Sequence, residues 1–328
     1  MKCLVTGGAG FIGSNLVDAL LQKGHLVRVL DNLSTGKRDN LNLFTQPSPR
    51  GEGKGFEFIE GDLRDRAVLQ RAAKGMDTIF HVAALRAVLR SVDDPGETND
   101  VNVAGTLNLL LAARDAKVKR LIFSSSSSVY GETEEFPLRE TALPNPQSPY
   151  AASKIMGEYY CKIFTKLYGL ETVALRYFNV FGPRQNPESK YSAVIPIFID
   201  CLLRGKSPEI HWDGKQSRDF SYVDNVIEGN IKAAEAPGVA GEVFNIACHE
   251  EFSVLDIFNH LKDILKIGNL EPVFKPKRAG DVRRTFADIS KAEKLLGFKV
   301  QTRFRPGLEK TVKWFLESGA IETVSRKQ

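Results

Sequence analysis

The sequence predicts an α/β protein: a doubly wound parallel sheet with helices on both faces, and a smaller α/β part toward the C-terminus. Three observations lead there. Short apolar runs alternate with segments of helical period through the first half of the 328 residues. A glycine-rich turn joins the first apolar run to the first helical segment. The second apolar run closes on an acidic residue.

Lys2–Thr6 (Lys-Cys-Leu-Val-Thr) is short and apolar, as a strand covered on both faces must be. Gly7-Gly8-Ala9-Gly10-Phe11-Ile12-Gly13 follows, and residues 14–23 have helical periodicity and stop at Gly24. Residues 26–30 form a second strand, closed by Asp31. Phe56–Glu60 is a third, running into Gly61-Asp62-Leu63-Arg64-Asp65. Residues 78–82 form a fourth and lead to Ala83-Ala84. Residues 101–114 read as a long helix and 120–124 as a fifth strand, which enters the serine run 124–128. The Pro- and Gly-rich stretch 46–55 is a surface excursion between strands.

Strand, glycine turn, helix, strand and acid in that order are a dinucleotide-binding arrangement. Glycines let the backbone approach a pyrophosphate and let the helix pack tightly on the sheet, and the helix N-terminus faces the anion with free N–H groups. Asp31, 18 residues beyond Gly13, suits the adenine-ribose hydroxyls and repels a 2′-phosphate. NAD is therefore favoured over NADP, although Lys37 and Arg38 lie nearby. Asp62 is placed to reach the adenine, and the small Ala83 and Ala84 leave room for the cofactor. A Rossmann-type NAD domain over 1–175 is the expectation, with a second domain over 176–328 and a chain that can cross back between them.

The 45 basic and 40 acidic residues give a net charge of +5 without Lys/Arg runs, which excludes a nucleic-acid binder and suits an anionic small molecule. Cys3, Cys161, Cys201 and Cys248 form no close pair and read as reduced thiols. The five histidines show no metal-ligand spacing, so no metal is expected. Glycines at 7, 8, 10 and 13 break the apolar N-terminus before it reaches the length of a secretory signal. No segment approaches the roughly 20 apolar residues of a membrane span. A cytoplasmic protein without a membrane partner is expected.

Tyr150 and Lys154 lie four apart, hence one turn apart on one helix face. The ammonium is expected to stabilise a phenolate and lower the tyrosine pKa from its ordinary value of about 10. Such a tyrosine takes the proton of a hydroxyl, the first step in oxidising an alcohol. The spacing alone is common on amphipathic helices; the glycine turn and Ser126 give it a context.

With Ser126, Tyr150 and Lys154 in place, the chain resembles the extended short-chain dehydrogenase/reductase family, within it the NAD-dependent epimerase/dehydratase branch, and there the UDP-hexose 4-epimerases. The matches run from Gly7 to about Gly297: Gly7-x-x-Gly10-x-x-Gly13, Asp31 to Gly36, Gly61-Asp62-Leu63, His81 to Ala84, Phe123 to Gly131, Ser148-Pro149-Tyr150, Arg176 to Arg184, Arg218 to Asp224 and Arg278 to Asp281. The resemblance implies that Phe11, Ile12, Asn32, Leu63 and Tyr177 join the cofactor site, with Tyr150 and Lys154. It implies that residues 176–328 clamp a UDP-sugar, through Asn179, Arg218 and Arg278 on the diphosphate and Asp281 on the nucleotide ribose. Guanidinium groups suit phosphate oxygens. Val194, within the segment 191–198, would lie against the base. Arg176, beside Tyr177 and Phe178, reads as structural. Relatives pair as homodimers through helices equivalent to 101–114 and 150–168.

By the same resemblance Tyr150 takes the C4 hydroxyl proton, Ser126 holds the C4 oxygen and Lys154 holds the nicotinamide ribose. Dehydratases carry Asp-Glu after the equivalent of Ser126, and uronate decarboxylases a Glu before the Val-Tyr pair. Here Ser127 and Ser128 stand in those places, and hydroxyls do neither task near neutral pH. Reversible inversion at C4 remains. Thr285, where a tyrosine narrows the pocket in relatives, leaves room for an N-acetylhexosamine as well as a hexose. Arg86 and Leu89 replace the usual small and proline residues of the sugar loop, so a uronate meeting Arg86, or an Arg86 in solvent, stays open. A dehydratase or a reductase exchanging its cofactor with solution, and a non-catalytic NAD sensor, are the other readings; sensors usually lose the tyrosine or the lysine.

Overall fold

The computed structural model describes residues 1–41, 55–86, 88–187, 193–277 and 282–319. Its centre is a sheet of seven strands, β1 (Lys2–Thr6), β2 (Leu26–Asp31), β3 (Phe56–Glu60), β4 (Thr78–His81), β5 (Arg120–Ser126), β6 (Glu171–Tyr177) and β7 (Val243–Ile246). They lie in the order β7-β6-β5-β4-β1-β2-β3, every pair parallel. This is the doubly wound Rossmann-type architecture that the sequence predicts, and its order reverses between β1 and β4, where ligands bind in such sheets.

The helices that bear on the site are α1 (Phe11–Gln22), α2 (Arg66–Ala73), α3 (Gly105–Asp115), α4 (Pro149–Tyr168), α5 (Val194–Leu203) and α6 (Val223–Glu235). On one face Leu16, Val17 and Leu20 of α1 share a core with Val226 and Ile231 of α6. On the other, Leu69, Leu109 and Phe164 from α2, α3 and α4 pack over Leu4, Ile79 and Leu121. Strands covered from both sides have no polar face, hence the unbroken apolar runs.

The chain crosses back. After β6 it builds small elements beyond the sheet: the parallel pair Val180–Phe181 and Ser221–Tyr222, and a three-stranded sheet of Ser217–Asp219 with Glu251–Ser253 and Arg284–Thr285. Between these, α6 and β7 return to complete the central sheet.

Several boundaries differ from the sequence reading: the fifth strand, expected at 120–124, runs on to Ser126, the fourth, expected at 78–82, ends at His81, and two helices start elsewhere. The first helix starts at Phe11, so the glycine turn itself enters it. The expected helix 101–114 opens as a wider π turn over Asp100–Ala104 before α3. There the Asn102 side chain turns inward, accepting the Leu85 N–H at 2.8 Å and donating to the Leu85 carbonyl at 3.0 Å and to Ser153 Oγ at 3.1 Å. Such bulges recur near functional sites. The excursion 46–55 lies, apart from Gly55, outside the described residues. Among the described residues no helix is long and apolar enough to cross a membrane.

Candidate active site

A cleft of about 1470 Å³ runs along the C-terminal ends of the strands, from the glycine turn to Arg218 and Thr285. At the glycine end the backbone is packed to contact. Gly7 has φ 71°, and a Cβ there would stand 2.7 Å from the Ala83 backbone. A Cβ on Gly13 would stand 2.1 Å from the Gly7 carbonyl oxygen. Gly10 opens α1 in extended conformation, without a side-chain cap and with no acid in the first turn, so the N-terminus of α1 offers its N–H groups to an anion.

Asp31 ends β2, nearly buried, and its carboxylate accepts the Ala9 N–H at 2.9 Å and the Leu33 N–H at 2.8 Å. Burial raises its pKa and the two backbone bonds oppose the rise. The carboxylate so ties the glycine turn to the end of β2. Asn32 donates to Asp62 at 2.7 Å, and Arg64 grips the same carboxylate with two bonds of 2.8 Å, holding it far below the usual carboxylate range. Arg38 is engaged by Glu60 at 2.7 Å and by the Phe58 ring. Phe11, Ile12, Leu63, Ala83, Ala84 and Tyr177 line the cleft beside them. A cradle that admits no Cβ, an uncapped helix end and a cleft-lining carboxylate at the end of β2 fit NAD.

At the centre, three successive serines at the end of β5 are each tied to a different element. Ser124 Oγ meets the Tyr177 hydroxyl at 3.0 Å, and that hydroxyl donates to Asn230 at 2.9 Å. Ser125 donates to Glu158. Ser126 Oγ accepts the Ser128 N–H at 3.2 Å and pairs with its hydroxyl at 2.9 Å. Helix α4 starts at the mouth of the cleft because Ser148 caps it, accepting the Ala151 N–H, and Pro149 follows at the first position. Tyr150 and Lys154 then face β5. Lys154 is 5 % exposed; its ammonium donates to the Ser124 carbonyl at 2.8 Å and lies 5.8 Å from the centre of the Tyr150 ring.

One expectation is corrected. The Tyr150 pKa lies above its ordinary value, not below it: burial raises it, while the Ser126 hydroxyl and the Arg86 charge pull it down. Burial also brings Lys154 itself down to about 8. The ammonium is committed to the strand carbonyl rather than to the phenol.

Toward the far end, Asn179 holds φ 29° and donates to the Asp219 carbonyl and to Thr285 Oγ1, each at 3.3 Å. The Arg218 guanidinium is braced on the carbonyls of Ser217 at 2.7 Å, Val282 at 2.7 Å and Arg283 at 3.3 Å. Val194, opening α5, and the nearly buried Thr285 line the same cleft. Arg86 lines it too, exposed, with no hydrogen bond or ion pair among the described residues. Arg278 and Asp281 lie outside the described residues, as does Tyr191. Arg176 is structural: it pairs with Glu158 through bonds of 2.9 and 2.8 Å, both side chains 4 % exposed.

Among the cleft residues that the sequence reading missed, three stand out. Arg184 reaches back to the Ser14 carbonyl at 2.9 Å and Asp18 at 3.2 Å, and Gln185 beside it is buried, its Oε1 without a partner among the described residues. Arg64 had a signal, since it directly follows Asp62-Leu63.

A family model for the NAD dependent epimerase/dehydratase family matches residues 3–247. The UDP-glucose 4-epimerase of Mycolicibacterium smegmatis is 40% identical, with 96% of this chain and 98% of that protein covered. The UDP-N-acetylglucosamine 4-epimerase of Methanobrevibacter ruminantium, solved with UDP-N-acetylmuramic acid, superposes with TM-score 0.89 at 43% identity, covering 97% and 98% of the two chains. A Tyr-to-Phe variant of UDP-glucuronic acid 4-epimerase from Bacillus cereus, solved with UDP-4-deoxy-4-fluoro-glucuronic acid and NAD, superposes with TM-score 0.89 at 34% identity, covering 97% and 100%. These three are UDP-sugar 4-epimerases that differ in the sugar, a dTDP-glucose 4,6-dehydratase from Streptomyces venezuelae superposes as well at 34% identity with TM-score 0.89, and the cofactor is NAD. Cradle, central triad and these matches agree: the chain belongs to the NAD dependent epimerase/dehydratase family.

Proposed function

We propose that this protein interconverts UDP-sugars that are epimers at C4, UDP-glucose with UDP-galactose or their N-acetylhexosamine counterparts, through a 4-keto intermediate. The observation that carries the reading is Ser126, Tyr150 and Lys154 at the centre of one cleft with Ser127 and Ser128, rather than carboxylates, beside them. Tyr150 and Ser126 bracket the position of the sugar O4, so one takes its proton while the other holds the oxygen. NAD, when bound, supplies the acceptor and then the donor of the C4 hydrogen. Lys154, bonded to the Ser124 carbonyl, sets a positive charge 5.8 Å from the centre of the Tyr150 ring. Asn179 and the braced Arg218 hold the diphosphate, which leaves the sugar ring free to turn before the proton returns. Arg278 and Asp281 are proposed for the diphosphate and the nucleotide ribose on the resemblance alone.

A second reading concerns the sugar. Arg86 is a cation in the cleft with no hydrogen bond or ion pair among the described residues, near enough for its charge to act on Tyr150, and a C6 carboxylate would pair with it. Incubation with UDP-glucose, UDP-N-acetylglucosamine and UDP-glucuronate separately, with C4 inversion followed by NMR, decides. Inertness toward all three, with turnover of a dTDP- or GDP-sugar, would overturn the proposal. If the uronate is turned over, Arg86→Ala should lower its kcat/KM by about 10–100-fold, the worth of a charged hydrogen bond. The uncharged sugars should then change little.

We further propose that NAD binding belongs to 1–175 together with the returning α6 and β7, UDP-sugar binding to the rest, and that two copies pair in the cytoplasm. Met156, Tyr159, Ile163 and Leu167 support the pairing: they follow helical spacing along α4 and are 40, 51, 45 and 65 % exposed. Ile163→Glu should convert a dimer to a monomer in sedimentation; an unchanged wild-type monomer would end this part of the reading.

A further inference from the structure

The geometry points to Glu158 as the positioning residue of the catalytic pair: clamped between Arg176 and Ser125, it fixes α4 on β5 and sets its negative charge one helical turn beyond Lys154. Helix α4 is tied to the end of β5 at four successive points. Tyr150 faces Ser126, and Lys154 bonds the Ser124 carbonyl while its ammonium sits 5.1 Å from the Phe123 ring. Gly157 lies so close that a Cβ would stand 2.3 Å from that ring. Glu158 then closes on the Ser125 hydroxyl at 2.5 Å.

The clamp is anchored deeper. Arg176, on β6, stacks 4.6 Å from the centre of the Tyr130 ring. The Tyr130 hydroxyl donates to Asn245 of β7 at 2.6 Å, and the Asn245 amide holds the carbonyls of Leu138 at 2.9 Å and Asp288 at 3.1 Å. Stability alone does not account for a buried ion pair there, because apolar residues of the same volume commonly serve as well or better. What apolar residues cannot supply is a hydrogen bond to Ser125 and a charge beside Lys154.

The charged and titratable groups around Lys154 are few. Tyr150, Glu158 and Cys161 face it from α4, and His81 from β4. Burial lowers the Lys154 pKa; Cys161 and Glu158 oppose this. Burial pushes the Cys161 thiol far above the thiol range and His81 down to about 3, so both are neutral where Lys154 titrates. Glu158 is then the anion that keeps Lys154 an ammonium.

The kinetic part of the inference rests on the epimerase reading; the titration does not. In the NAD-bound protein carrying [ε-¹³C]lysine, with the Lys154 resonance assigned through Lys154→Arg, the wild type should titrate below the ordinary lysine value, as its burial requires. Glu158→Gln should titrate about one unit or more lower, the usual effect of losing a nearby opposite charge. Glu158→Asp should return most of the shift. Because Glu158→Gln leaves the Arg176 charge buried, the double variant Glu158→Gln/Arg176→Met serves if the single variant does not fold; it loses a cation along with the anion, so Lys154 should titrate below the wild type but by less than in Glu158→Gln. On a UDP-sugar that the wild type turns over, the alkaline limb of kcat should move to lower pH by the same amount with KM unchanged. Ser125→Ala should lower kcat without moving the titration. Lys154 titrating as in the wild type in a folded charge-removed variant, or loss of the fold in both, overturns the proposal. Absence of turnover by the wild type leaves the titration standing and sinks only the epimerase reading.

Discussion

Replacing Tyr150 with phenylalanine should lower kcat for C4 inversion by about 10²–10⁴-fold, the usual worth of a positioned acid–base group. KM, bound NAD and thermal stability should stay near their wild-type values. The substitution removes one oxygen from a half-buried ring and leaves the ring at its place over Lys154. Ser126 keeps its bonds to Ser128, so its hydroxyl is not orphaned. A loss confined to kcat would assign the proton transfer to the phenol. Unchanged turnover of every UDP-sugar tested would remove Tyr150 from the mechanism and with it the epimerase reading.

Gly13→Ala should be the most damaging single methyl group in the nucleotide half. Its Cβ would stand 2.1 Å from the Gly7 carbonyl oxygen and 2.8 Å from the Gly8 Cα. Both neighbours are backbone, so no rotamer relieves the clash; either the turn opens or α1 lifts from β1. Overpacking costs about 1–3 kcal/mol, occasionally more. The displaced N–H groups also lose their aim at the pyrophosphate. A clear drop in Tm and purification without bound NAD are expected, read by calorimetry and by the absorbance ratio of the protein. Gly268→Ala, which meets nothing within 4 Å and has an ordinary φ, is the control that should change neither. Full NAD occupancy in Gly13→Ala would show that the cradle tolerates what its geometry forbids.

Much of the nucleotide half was legible because its strands are long enough to carry a pattern. β1 and β3 end where the apolar runs end, and the glycine turn sits where Gly7, Gly10 and Gly13 require it. The far half was less readable, since strands such as Val180–Phe181 and Arg284–Thr285 are two residues long and carry no period. Side-chain spacing placed Tyr150 and Lys154 together correctly; it did not give their electrostatics, because depth of burial is set by residues distant in sequence. The same reason hid Glu158. Its partners Ser125 and Arg176 come from two strands, 33 residues before and 18 after it, and no local motif links them. Asn102 likewise reads as one more helical residue until Leu85 is brought beside it.

The return of α6 and β7 has a consequence for how the chain is made. When β6 leaves the ribosome the sheet has six strands and an open edge, and the face of α1 that Val226 and Ile231 will cover is bare. Roughly 70 more residues must be synthesised before β7 closes that edge, a matter of several seconds at typical elongation rates. A fragment ending near residue 175 therefore stops with an unpaired strand and half a core, the state most prone to edge-to-edge association. Late, long-range pairing of this kind makes for slow folding, with β7 as the latch that completes it.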